Sequence, residues 1–81
     1  PFNPSTNISF TLEKADIVQL NIYNILGEKI KTLVTGEQSR GKHSFSWNGK
    51  NDSGMSVSSG TYIYRLKVGQ LIETKQMLLI R

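Results

Sequence analysis

Apolar side chains recur at every second residue through most of this chain, and that spacing constrains the fold more than any other property. "NISFTL" places Ile8, Phe10 and Leu12 on one side, and "IVQLNIYN" turns Val18, Leu20 and Ile22 one way and Gln19, Asn21 and Tyr23 the other. "HSFSW" sends His43, Phe45 and Trp47 to a common face, and "TYIYRL" does the same with Tyr62, Tyr64 and Leu66. Successive side chains of a strand point to opposite faces, so each stretch predicts a strand with one buried side. No segment keeps helical spacing for more than about a turn, and the chain is expected to be all-β.

The punctuation agrees with the period. "EKAD" is a polar turn, Gly27 in "NILGEK" and Gly69 mark hairpins, and "GEQSRGKH" is a loop bracketed by Gly36 and Gly41. Adjacent Leu33 and Val34 break the alternation and predict a bulge. "NGKNDSGMSVSSG" carries the Asn, Asp, Ser and Gly of turns and reads as a connection that crosses between sheets. Short strands at regular spacing predict an immunoglobulin-like antiparallel β-sandwich of about seven strands. Its expected core is Phe10, Leu12, Val18, Leu20, Ile22, Phe45, Trp47, Tyr62, Tyr64, Leu66 and Met77.

Size makes that core thin. The chain has 81 residues, and a domain near this length hides only about 60% of the surface its unfolded chain exposes. It has no cysteine, so packing must hold the fold without disulfides or thiolate metal sites. The longest apolar run, Met77-Leu78-Leu79-Ile80, falls far short of the roughly 20 residues of a membrane-spanning helix. Net charge is +4, but the Lys and Arg residues are scattered singly and no aromatics interleave with a basic cluster, which argues against nucleic-acid binding. There is no internal repeat, and both prolines fall at the start, so residues 1–81 are expected to be one domain and a fragment of a longer protein.

Chemistry has few candidates. His43 is the only histidine, and on a face shared with Phe45 and Trp47 it reads as a packing residue rather than a general base. No Cys–His pair, G-x-S-x-G elbow or phosphate-cradling glycine loop is present. The carboxylates lie mostly in turns beside basic residues rather than opposed across a cleft. Asn48, Asn51, Asp52 and Ser53 offer oxygen ligands, but only one is charged and no bidentate Glu follows, so an Asx-turn loop is expected rather than a calcium site. Tyr23 is the one outward aromatic, too little for a sugar-binding platform, and Phe2 reads as a plug for one end of the sandwich. No catalytic, cofactor or metal site is expected, and no enzymatic activity.

Several stretches point together: "PFNPST" before "ISFTL", "VQLNIYNILGEKIKTLV", "GKHSFSWNGKNDSG", "SSGTYIYRL" and the closing "TKQMLLIR". In order and spacing the chain resembles the type A C-terminal sorting domain of the type IX secretion system, and it is also similar to the immunoglobulin-like domain of flagellar hook-capping proteins. The sorting resemblance implies a non-catalytic signal that directs an N-terminal cargo domain in cis through the periplasm of a Gram-negative bacterium. Its partners would be an outer-membrane secretion translocon and a surface sortase-like peptidase, and the cargo would end secreted or at the cell surface. It also implies that Gly60, Tyr62, Lys75, Met77, Leu79 and Arg81 carry the signal.

Gly60 and Tyr62 have a structural reason as well, since Gly makes the turn and a buried Tyr can hydrogen-bond backbone as in a tyrosine corner. The last strand is expected to offer an open edge for β-augmentation. The alternatives are a carbohydrate-binding or structural accessory module of an extracellular enzyme, and an assembly module that packs against its own kind. Mostly polar outward positions weigh against both.

Overall fold

The computed structural model describes residues 5–80. Six strands follow in order: β1 (Thr6–Leu12), β2 (Asp16–Asn24), β3 (Lys29–Gln38), β4 (Gly41–Trp47), β5 (Gly60–Val68) and β6 (Leu71–Leu79). They form two antiparallel sheets, one of two strands in the order β1-β4 and one of four in the order β3-β2-β5-β6. The fold is an all-β, immunoglobulin-like sandwich with six strands among the described residues rather than seven. Between β4 and β5 the chain makes only an isolated bridge, Lys50↔Ser56, because Gly49 (φ 75) and Gly54 (φ 81) turn it back on itself. Side chains of Asn48 and Asn51 then accept the backbone N–H groups that a ladder would have used.

Register places the alternating faces in contact. Val18, Leu20 and Ile22 of β2 lie opposite Val68, Leu66 and Tyr64 of β5, and Ile8 and Phe10 of β1 lie opposite Phe45 and His43 of β4. The buried core consists of Ile8, Leu12, Val18, Leu20, Ile22, Val34, Trp47, Tyr62, Leu66 and Leu79. Each such apolar side chain removed from water contributes about 1.5–3 kcal/mol. Phe10, Phe45, Tyr64 and Met77, expected in the core, are only partly buried against it. For Tyr64 and Met77, on β5 and β6, the physical reason is coverage, since two strands of one sheet cannot shield four of the other.

The bulge at Leu33 is present. Leu20 pairs with Val34 but Asn21 pairs with Thr32, which leaves Leu33 extra, and a second shift leaves Ile30 extra between Lys31 and Lys29. Both residues swing toward the core, so β3 supplies Ile30, Leu33 and Val34 to packing despite its broken alternation.

Turn chemistry closes the hairpins. Asn24 Oδ1 accepts from the N–H groups of Leu26 (2.9 Å) and Glu28 (3.0 Å), with Gly27 at φ 84. Gly69, at φ 59 in the first position of a two-residue turn, donates to the Ile17 carbonyl at 3.0 Å. The segment expected as a loop between Gly36 and Gly41 is mostly strand, since β3 runs to Gln38 and β4 starts at Gly41.

Candidate functional site

Trp47 is the centre of the sandwich, 1% exposed. Its ring meets Tyr62 edge-on with centroids 5.0 Å apart, and its indole N–H donates to the Lys50 carbonyl at 2.9 Å. Tyr62 in turn donates its hydroxyl to the Ser58 carbonyl at 2.6 Å. The two rings thus tie both ends of the β4–β5 connection to the core. Gly60, at φ 153, opens β5 two residues before that tyrosine.

Register brings five of the six residues singled out in the sequence into one block of neighbouring pairs: Gly60 opposite Leu79, Tyr62 opposite Met77, and Lys75 opposite Tyr64. Arg81 lies outside the described residues, as does Phe2 with its expected plugging role. Tyr62 and Leu79 are buried and occupied by packing. Lys75 is exposed, 3.2 Å from the Glu73 carboxylate, and the hydrogen bond it donates to that carboxylate, followed by the charges of Tyr64 and Glu73, raises its pKa.

The uncovered part of the larger sheet forms an open groove of about 870 Å³ between β1 and β6. Phe10, Leu66 and Leu71 supply its apolar wall, with Glu13, Glu73 and Lys75 among its charges. Sequence reasoning missed this groove. The available signal was Glu73 and Lys75, two charges spaced for the inward face of a strand.

The described residues assemble no reaction centre. His43 stacks on Phe10 at 5.5 Å, with its Nε2 2.7 Å from the Ser39 carbonyl. In the oxygen-rich loop Asn51 Oδ1 accepts from Ser53 and Met55, and Asp52 Oδ1 accepts from the Thr32 N–H at 3.1 Å. Among the described residues no three His, Cys, Asp or Glu side chains converge to hold a metal ion.

The profile of the FlgD Ig-like domain matches residues 2–75. The chain belongs to the FlgD Ig-like domain family. The basal-body rod modification proteins FlgD of Salmonella typhimurium and Salmonella typhi are each 38% identical to it over 50 residues, 62% of this chain and 22% of theirs. The crystal structure of FlgD from P. aeruginosa superposes with a TM-score of 0.64 at 27% identity, covering 93% of this chain and 60% of that one. The chain therefore aligns with about a fifth of the length of its curated FlgD relatives.

Membership in the FlgD family corrects the functional expectation. The flagellar half of the resemblance holds. The type IX sorting role does not, and with it go the translocon and sortase-like partners and the sorting of cargo to the cell surface; the carbohydrate-binding accessory role falls too. The misleading stretches are ones that this fold uses for itself. Trp47, the Asn48–Asn51 turns, Gly60 and Tyr62 build the connection between the sheets, so matching them identifies a sandwich and carries no address.

Proposed function

We propose that this chain is a single, non-catalytic immunoglobulin-like module of a longer flagellar rod- or hook-assembly protein, and that it works by presenting surfaces to other proteins. The observation that carries this reading is the FlgD Ig-like family match over residues 2–75, supported by the FlgD structure with the same sandwich. The surfaces are consistent with it. The polar groups of the central loop are engaged in holding the fold, whereas the edge of the larger sheet and its groove face outward.

In-frame deletion of residues 5–80 in the source bacterium tests the proposal, with immunoblotting to establish that the shortened protein persists. Purified basal bodies viewed by electron microscopy are expected to carry rods without completed hooks. Normal hooks in the presence of the stable shortened protein would overturn the assignment.

A further inference from the structure

The two edges of the four-stranded sheet differ. On the β3 edge, the Asp52 N–H donates to the Ile30 carbonyl at 3.0 Å and the Asp52 carboxylate accepts from Thr32, so the central loop occupies edge groups of a strand already bent by two bulges. These devices block pairing with another chain. On the other edge, β6 pairs with β5 one for one from Leu71 to Leu79 without a register shift. A regular strand at a sheet edge turns alternate N–H and C=O groups outward, and Leu71 through Gln76 are all exposed.

Side chains on this edge complement themselves in one alignment. If β6 of a second copy lies antiparallel beside it, with the two-fold axis through Thr74, Glu73 falls opposite Lys75 of the second copy and Lys75 opposite Glu73 of the second copy. Leu71 then meets Met77, and Ile72 meets Gln76. Moving the axis to residue 73 sets Glu73 against itself, and moving it to residue 75 sets Lys75 against itself; like charges directly opposite one another are destabilising. The same contact covers apolar surface that the monomer leaves in water, since Leu71, Ile72 and Leu78 are 77%, 52% and 61% exposed.

We propose that β6 is a self-association edge at which two copies of this chain join their four-stranded sheets through an antiparallel β6–β6 ladder centred on Thr74, with paired Glu73 and Lys75 setting the register. The inference rests on the geometry of β6 and stands independently of the flagellar role.

Sedimentation velocity of the 81-residue chain at concentrations up to about 1 mM tests it, a range that half-populates a dimer whose dissociation constant is of that order. The wild-type chain is expected to dimerise. Glu73→Lys sets the introduced lysine against Lys75 of the second copy, and Lys75→Glu sets the introduced glutamate against Glu73 of the second copy, so each variant alone is expected to sediment as a monomer. An equimolar mixture of the two restores opposite charges at both positions and is expected to dimerise. Thermal melts followed by circular dichroism establish that the variants are folded. Hydrogen exchange on the unaltered chain supplies a second readout, with β6 amides gaining protection as concentration rises. A monomeric wild-type chain at the highest concentration, dimerisation of both variants alone, or failure of the mixture to associate would each overturn the proposal.

Discussion

Replacing Trp47 tests the packing of the fold most directly. The side chain is 1% exposed, lies against Tyr62 at 5.0 Å and holds the Lys50 carbonyl through its N–H. Trp47→Ala removes the largest buried side chain and leaves a cavity between sheets that can collapse only partly, a change that costs about 3–5 kcal/mol. At about 0.05–0.15 kcal/mol per residue, the 81 residues give a total stability of about 4–12 kcal/mol, so the alanine variant is expected to lose between about a quarter and all of it.

Trp47→Phe separates the two contributions. It keeps an aromatic ring against Tyr62 but loses the bond to the Lys50 carbonyl. Loss of the hydrogen bond costs about 1 kcal/mol, and the space left by the smaller ring adds about 1 kcal/mol more. For a domain of this size each kcal/mol lowers the melting temperature by about 4–8 °C. Far-UV circular dichroism is the assay, because Trp47 is the only tryptophan and its fluorescence disappears with it. An alanine variant melting within about 5 °C of the parent, a loss of only about 1 kcal/mol, would refute Trp47 as the packing centre. A phenylalanine variant as unstable as the alanine one would show that the bond to the loop, rather than burial, holds this region.

Tyr62→Phe deletes the 2.6 Å bond to the Ser58 carbonyl while keeping the ring, and is expected to cost about 1 kcal/mol in a urea titration; an unchanged midpoint would mean that the bond adds nothing. Gly69→Ala puts a Cβ 3.1 Å from Asp16 Oδ2 on a residue at φ +59, and the left-handed conformation alone costs about 1–2 kcal/mol. A thermal melt that matches the parent would refute the strain. Lys75 has its pKa raised in the folded protein, chiefly by the hydrogen bond to Glu73, so its stabilising contribution is complete below the ordinary lysine range and is lost as pH rises through the raised value. Alkaline melts of Lys75→Met are expected to fall less steeply than those of the parent across that range, and identical slopes would exclude the effect.

Much of this structure was legible in local sequence. Val18, Leu20 and Ile22, or Tyr62 and Leu66, announce their shared face because a strand sends alternate side chains to opposite sides. Gly27 and Gly69 announce their turns because few other residues take the positive φ values found there. Even the bulge at Leu33 was visible as a break in period.

Partnership was not legible. Alternation says which side of a strand is apolar and nothing about what lies across from it. That β1 pairs with β4, Thr6 opposite Trp47, and that these two strands alone cover a sheet of four, is settled by contacts between residues far apart in the chain. Incomplete coverage leaves Tyr64 and Met77 half buried, and leaves Glu73 and Lys75 exposed although they share a face of β6 with Met77 and the buried Leu79. Function was obscured for a related reason. Motifs such as "GKHSFSWNGKNDSG" and "SSGTYIYRL" are shaped by the demands of joining two sheets, and those demands are the same whatever the finished sandwich is used for. The tertiary structure alone decided which edge of the larger sheet was blocked by Asp52 and which was left open along β6, because an edge exists only once every other strand has found its partner.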